Sequence, residues 1–197
     1  MECQPAHDAP VSINPMALFA RNFFKHPSML GSIVPSSRFL VKDLMTQIEW
    51  QRARVLIEFG PGVGTITREL LKRMRSDAVL VVIEVNLDFV QYLGATIRDP
   101  RLRIVHGSAA HVRRILIEQG FASADYIISS LPYSLLTEEL RQEIVAESRH
   151  ALNSRGSLLV FQYSRLLLPY LKSSFGSVKL RFQPFNILPA SIFHCTP

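Results

Sequence analysis

Apolar runs of strand length alternate with amphipathic helical stretches over most of the chain. Continuous β-branched runs predict strands, and apolar residues that recur every three or four positions predict helices. The predicted strands are 55–59, 78–86, 102–107, 126–132 and 156–163, and the predicted helices between them are 65–75, 87–97, 110–119 and 137–152. Apolar strands that alternate with helices are typical of a mainly parallel sheet covered on both faces. The pattern therefore predicts a doubly wound α/β fold.

The end of the chain breaks this alternation. A short helix is predicted near 165–175, and the runs 178–185 and 187–195 that follow are separated only by Asn186. Strands with so short a connection can pair only as an antiparallel hairpin. The expected sheet has seven strands and is mainly parallel, with an antiparallel last strand.

Three regions follow from composition. Residues 1–14 are polar and contain prolines, which predicts a disordered tail, while 15–52 predict N-terminal helices and 53–197 a single ligand-binding domain. Ser36 or Ser37 is a candidate N-cap for a helix that runs to about Trp50. The turn that carries them either comes close to the ligand loop, where it can contact the substrate, or is a simple capped loop.

A helix predicted over 16–26 is basic and rich in phenylalanine. Phe19 and Phe23 lie on its apolar side, and Arg21 and Lys25 carry charge. One interpretation is an ordinary helix that packs on the domain. The other is a helix in the plane of the lipid headgroups, with its phenylalanines at the acyl boundary and its cations against anionic lipid. The pattern leaves both open.

The strand 55–59 runs into a loop with glycine at alternate positions, Gly60, Gly62 and Gly64, preceded by Glu58. Glycines let a ligand lie against bare backbone, and the following helix start offers unpaired N–H groups. Glu84 ends the next strand twenty residues later, where a carboxylate can accept bonds from ribose hydroxyls. The spacing predicts a nucleoside ligand, and Glu58 favours one with a cationic amino group over a pyrophosphate.

Ligands of such sheets bind at the carboxyl ends of the strands. The residues at those ends are therefore candidates for binding or chemistry: Val85 after the second strand, Ser108 and Ala109 after the third, Ser129, Ser130 and Tyr133 after the fourth, and Tyr163 after the fifth.

Charge and cysteine content narrow the possible partners and metal sites of the protein. The formal net charge is +6, which favours an anionic partner such as nucleic acid or an acidic membrane face. Cys3 and Cys195 show no metal-ligand spacing, so no metal site is expected. No signal peptide or membrane-spanning run is found, which predicts a cytoplasmic protein.

The loop from Glu58 to Gly64 resembles the first motif of class I S-adenosylmethionine-dependent methyltransferases, which implies that cofactor and a Rossmann-like fold. The stretch Ser129-Ser-Leu-Pro-Tyr133 resembles the Asn-Leu-Pro-Tyr element of amine-directed members, which implies that Ser130 and Tyr133 orient a target nitrogen. Family members usually carry an acid at the position of Ser108, where it contacts adenine. Serine is a weaker acceptor there.

With the turn Gly31-Ser-Ile-Val-Pro-Ser-Ser37 and the close Asn186-Ile-Leu-Pro-Ala190, the chain resembles bacterial phospholipid N-methyltransferases. That resemblance implies methylation of phosphatidylethanolamine toward phosphatidylcholine by an enzyme held peripherally on the inner face of the membrane, without nucleic acid or an implied oligomer. Two alternatives stay open. One is an rRNA adenine N6-methyltransferase, and the other is a lipid-binding protein that keeps the loop without catalysis.

Overall fold

A seven-stranded sheet with strand order β3-β2-β1-β4-β5-β7-β6 forms the centre of the protein. The computed structural model describes residues 38–183 and 190–197. The strands are β1 Val55–Phe59, β2 Val79–Glu84, β3 Leu102–His106, β4 Ala124–Ser129, β5 Leu152–Gln162, β6 Ser177–Gln183 and β7 Ala190–Thr196. The first five are parallel, and β7 is antiparallel to both β5 and β6. This confirms the predicted fold class.

Helices cover both faces of the sheet. They are α1 Arg38–Met45, α2 Thr65–Arg73, α3 Leu87–Thr96, α4 Val112–Glu118, α5 Glu138–Ala151 and α6 Leu168–Ser174, with short 3-10 turns at Ala109–His111 and Tyr133–Leu135. One apolar core lies between the sheet and α1, α2 and α3, and the other between the sheet and α4, α5 and α6. Burial on both sides explains why the central strands are mainly apolar.

Alternation along β1 decides where its acidic residue points. Ile57 and Phe59 belong to the core beneath α4 to α6, and Leu56 belongs to the core beneath α1 to α3. Since successive side chains of a strand point to opposite faces, Glu58 lies on the same side as Leu56. That side also carries α2, whose Thr67 contacts Glu58.

Strands β6 and β7 pair antiparallel, as the predicted hairpin requires. The pairing extends from Ser177 opposite Thr196 to Gln183 opposite Ala190. The predicted turn at Asn186 lies outside the described residues.

The helix predicted to reach about Trp50 ends at Met45. The indole N–H of Trp50 donates to the Met45 carbonyl at 3.2 Å, which satisfies a carbonyl at the helix end. β4 also ends before the predicted residue 132, because the chain turns at Pro132. The predicted tail, the helix over 16–26, Ser36 and Ser37 lie outside the described residues. Within the described part, no helix is both long and apolar enough to cross a bilayer.

Candidate cofactor and acceptor site

The glycine loop joins β1 to α2 in a left-handed backbone conformation. Gly60, Gly62 and Gly64 have φ of +65°, +54° and +80°. A Cβ added at Gly60 would lie 3.0 Å from Leu131 Cδ2, and one at Gly64 would lie 2.7 Å from Leu93 Cδ2. A Cβ at Gly62 would meet no atom within 4 Å. Gly60 and Gly64 therefore serve internal packing, while Gly62 leaves open space against bare backbone.

Glu58 is a buried carboxyl group below this loop. Its Oε2 accepts from the Thr67 hydroxyl at 2.7 Å, while its Oε1 is buried without a hydrogen-bond partner among the described residues. Burial raises the pKa of Glu58 to about 8, the Thr67 hydrogen bond opposes this, and the charge of Glu84 adds to the increase. A buried acceptor without a donor is costly unless a ligand supplies one. Oε1 is therefore suited to a cationic or N–H donor from a ligand.

Glu84 at the end of β2 faces the glycine loop. Its carboxylate accepts from the backbone N–H of Gly62 at 3.2 Å and from that of Asn86 at 2.9 Å. Burial raises the pKa of Glu84, and these N–H bonds partly counter the increase. The two N–H groups fix the carboxylate at the sheet edge beside the loop, as expected from the spacing of Glu84 and Gly64.

The predicted contacts after β2 and β3 lie at the same edge. Val85 is exposed directly after Glu84, and its carbonyl oxygen is 3.1 Å from His106 Nε2. Ser108 uses its hydroxyl as a helix cap, accepting from the Ala110 N–H at 3.3 Å, and Ala109 is buried. An adenine contact of Ser108 stays a prediction, and its hydroxyl already has a structural role.

Ser130 joins the loop after β4 to the glycine loop. Its Oγ lies 3.0 Å from the Phe59 carbonyl oxygen and 2.7 Å from that of Gly60, and its N–H donates to the Phe59 carbonyl at 3.2 Å. The loop 130–133, the acceptor loop hereafter, is thus held directly against the cofactor loop. Methyl transfer is an in-line displacement, so close positioning of these two loops is the main catalytic requirement.

Tyr133 lies in the core. Its side chain is 1% exposed, and its hydroxyl is 3.0 Å from the Oγ of Ser129, which is also fully buried. Burial raises the pKa of Tyr133, an effect that the Ser129 bond only partly offsets. In this arrangement the ring of Tyr133 packs among apolar side chains and does not face the open end of the site. Its predicted contact with an amine stays a prediction.

Gln162 is a site residue that the sequence reasoning missed. Its Nε2 donates to the Leu131 carbonyl at 2.8 Å, so the last residue of β5 supports the acceptor loop from the opposite side to Ser130. In the sequence, the signal for this residue was a polar side chain directly after the apolar run 158–161. Tyr163, the next residue, is half-buried and packs against the core beneath α1 to α3.

A groove of about 1000 Å³ lies between α1 and α2 and reaches Val63 of the glycine loop. It combines apolar and cationic side chains, including Phe39, Val41, Arg38 and Lys42 of α1. Phe39 is half exposed, because α1 buries Leu40, Val41, Leu44 and Met45. None of the described residues form a cluster of three or more His, Cys, Asp or Glu able to hold a metal ion.

These features fit S-adenosylmethionine. The unpartnered Glu58 Oε1 suits the amino group of its methionine part, the open backbone at Gly62 admits a ligand, and the fixed Glu84 carboxylate suits ribose hydroxyls. The parallel sheet with an antiparallel β7 places all three at the edge where such sheets bind ligands. Fold and site together define an S-adenosylmethionine-dependent methyltransferase.

Comparison with known proteins gives the family. Residues 24–187 match the methyltransferase small domain, and the chain belongs to that family. It is 29% identical to the ornithine lipid N-methyltransferase of Singulisphaera acidiphila over 184 residues, 90% of this chain and 94% of that protein. It is also 33% identical to the ribosomal RNA small subunit methyltransferase A of Mycoplasma mycoides over 105 residues, which covers 51% of this chain and 37% of that protein.

Solved structures show the same fold. The precorrin-6y C5,15-methyltransferase of Geobacter metallireducens superposes with a TM-score of 0.64 at 12% identity, over 80% of this chain and 87% of that chain. Human methyltransferase-like protein 13, solved in complex with S-adenosylhomocysteine, gives 0.56 at 14% identity, over 87% of this chain and 81% of that chain. At these identities the likeness concerns the fold alone.

Proposed function

We propose that this methyltransferase acts on the amino group of a membrane lipid. The head group expected from the sequence is phosphatidylethanolamine, methylated through mono- and dimethyl forms toward phosphatidylcholine. The Singulisphaera relative, which bears the name of an ornithine lipid enzyme and matches over nearly its whole length, supports a lipid amine as acceptor. It also makes ornithine lipid the second acceptor to test.

The observation that carries this proposal is the hydrogen-bonded contact between the glycine loop and the acceptor loop, called the seam hereafter. Ser130 is hydrogen-bonded to the backbone that begins the glycine loop, and Gln162 supports Leu131. Backbone carbonyls of a loop fixed in this way can accept N–H bonds from an amine and aim its lone pair. S-adenosylmethionine supplies the methyl group as an electrophilic sulfonium substituent. Positioning of the nitrogen is then the main task of the chain's own residues.

The amine must lose a proton before it can attack, since an alkylammonium has a pKa of about 10. Among the described residues of the acceptor loop, Tyr133 is the ionisable side chain, and its hydroxyl is buried against Ser129. This supports proton loss to water or to the lipid's own anionic group.

Membrane contact is part of the proposal. The basic, phenylalanine-rich segment with Phe19, Phe23, Arg21 and Lys25 suits the interface of an anionic membrane. The enzyme would then work peripherally on the inner face of the membrane, with the lipid presented to the acceptor loop.

A second candidate is N6-methylation of adenine in ribosomal RNA, which the Mycoplasma relative favours. The chain spans little more than a third of that relative, so the shared part is the cofactor-binding core. The residue before Leu-Pro-Tyr is Ser130, where the resemblance leads one to expect an Asn or Asp. The lipid amine therefore ranks first.

The deciding experiment supplies labelled S-adenosylmethionine with three acceptors in parallel: anionic vesicles with phosphatidylethanolamine, anionic vesicles with ornithine lipid, and ribosomal RNA. Incorporation of label into either lipid supports the proposal, and the labelled lipid identifies the head group. The Gly62→Ala variant is the control, and it should give no labelled lipid. Label in RNA with none in lipid reverses the ranking.

A further inference from the structure

Exposed apolar side chains are concentrated at the carboxyl edge of the sheet. The described part has eight large apolar residues with exposed side chains: Phe39, Val85, Leu87, Ile117, Leu135, Leu166, Leu180 and Phe182. Val85 and Leu87 follow β2, Leu135 follows β4, Leu166 follows β5, and Phe182 lies near the end of β6. Ile117, near the end of α4, lies toward the opposite edge. Val85 and Leu87 adjoin Glu84 and belong to the cofactor site.

Of the other five, Phe39 lies on α1 and Leu180 within β6, and the remaining three border the acceptor loop. Phe182 pairs with Ser191, which in turn pairs with Gln162, and Gln162 donates to Leu131 of that loop. Phe182 is 63% exposed, Leu166 43% and Leu135 48%. These three side chains, from three separate elements, are called the acceptor rim.

The C-terminal part of the chain, which contains Leu166 and Phe182, carries positive charge without acidic residues. From Ser148 to the C-terminus there is no Asp or Glu, and the six cations are Arg149, Arg155, Arg165, Lys172, Lys179 and Arg181. Their sum equals the net charge of the whole chain, +6. Arg165 is exposed next to Leu166, and Arg181, next to Phe182, forms an ion pair with Asp43 of α1 at 2.6 Å. Leu166 thus has an exposed cation beside it, while Leu135 is followed by the exposed Glu138 and Glu139.

We infer that the acceptor rim docks on an anionic bilayer, with Leu135, Leu166 and Phe182 in the headgroup–acyl boundary and the neighbouring cations against lipid phosphates. Exposed apolar side chains beside a cation such as Arg165 suit such an interface. The rim would hold the open end of the acceptor loop against the lipid surface. This inference rests on the proposed lipid substrate, and it adds a second membrane contact to the one expected from the N-terminal segment.

The first test compares the full chain with a Leu166→Ser, Phe182→Ser double variant and a matched Ile117→Ser control on the opposite edge. Flotation uses vesicles of phosphatidylglycerol alone, which contain no amine acceptor. We expect binding of the double variant to fall about tenfold or more, because two apolar side chains are lost from the interface, and the control to stay within about twofold of the parent. Unchanged circular dichroism and thermal melting exclude misfolding.

A second test reports on the rim even if the N-terminal segment alone keeps the protein on the vesicle. Phe182→Trp is compared with Ile117→Trp, each in a Trp50→Phe background, on phosphatidylglycerol vesicles with brominated acyl chains. We expect quenching and a blue shift for Phe182→Trp and neither for Ile117→Trp. Equal fluorescence changes in Phe182→Trp and Ile117→Trp overturn the inference. The inference is also overturned if the Leu166→Ser, Phe182→Ser double variant loses binding to ribosomal RNA but still binds vesicles.

Both measurements are independent of methyl transfer. If the rim inserts but no lipid amine is methylated, the proposed function fails and the docking surface stands. If lipid is methylated while Phe182→Trp shows no insertion, the docking surface fails and the proposed function stands.

Discussion

The hydroxyl oxygen of Ser130 lies 2.7 Å from the carbonyl oxygen of Gly60. This contact links the first glycine of the cofactor loop to the first residue of the acceptor loop, although seventy positions separate them in sequence. It explains how two loops from neighbouring strands can keep a fixed distance without a shared helix. The consequences for activity and stability can be tested one residue at a time.

Ser130→Ala removes the hydroxyl that joins the loops. We expect kcat/KM to fall about tenfold, since one hydrogen bond is worth about 1 kcal/mol and misplacement of the acceptor adds to that loss. The loss should fall mainly on kcat. Steady-state kinetics with the lipid acceptor measure the effect, and Ser134→Ala, at an exposed position of the same segment, is the control. Equal activity of the two variants would show that the seam is not needed for transfer.

Glu58→Gln should flatten the pH dependence of stability in the cofactor-free protein. Burial raises the pKa of Glu58 from 4.5 to about 8, so the folded state holds a proton that the unfolded state releases. Stability linked to this group is present below pH 4.5 and is lost as pH rises toward 8, by an amount of the order of a few kcal/mol. Thermal melts between pH 5 and about 8.5 should therefore slope downward in the parent and less in the variant.

The matched control for that experiment is Glu69→Gln. Lys72 and Arg73 lower the pKa of Glu69, which gives it the opposite sign of linkage, and a surface pair of this kind contributes little. We also expect Glu58→Gln to weaken binding of S-adenosylmethionine, measured by calorimetry, because the amide lacks the charge that suits the ligand's amino group. A parent slope equal to that of Glu58→Gln would contradict the raised pKa.

Alanine substitutions at Gly62 and Gly64 should affect different properties of the protein. At Gly64 an added Cβ meets Leu93 at 2.7 Å in a left-handed backbone, so Gly64→Ala should lower the free energy of unfolding by about 2 to 4 kcal/mol. At Gly62 the backbone strain remains but space is open, so Gly62→Ala should cost about 1 to 2 kcal/mol and mainly reduce cofactor affinity. Denaturant melts and calorimetry on both variants separate the two effects. Gly62→Ala that binds S-adenosylmethionine normally would remove this loop position from the cofactor site.

Tyr133→Phe tests whether the buried hydroxyl takes part in transfer. Its partner is the Ser129 hydroxyl at 3.0 Å, so the structure predicts a loss of about 1 kcal/mol in stability and a kcat within about threefold of the parent. Ser129→Ala should destabilise similarly and serves as the reference. A hundredfold fall in kcat with an unchanged melting temperature would show that the Tyr133 hydroxyl contacts the reacting amine. The acceptor loop would then have to rearrange when the substrate binds.

The sequence by itself determined the layered α/β fold and the cofactor half of the site. Continuous apolar runs specify the strands and period-3.6 patterns specify the helices. Gly60 to Gly64 and Glu84 lie at the carboxyl ends of parallel strands, which share one edge of the sheet. These rules act within one strand–loop–helix segment, so they can be applied without knowledge of contacts between distant parts of the chain.

The tertiary structure alone decided the acceptor half. Whether Tyr133 faces the core or the site depends on the turn after Ser129, and the partner of Gln162 depends on the register of β5 with its neighbours. The register of β6 on β7 is likewise set by pairing between the two strands. Loops have no periodic pattern of apolar residues from which their conformation could be predicted. Their side-chain directions are set by packing between elements that are distant in the chain, and so is the seam between Ser130 and Gly60.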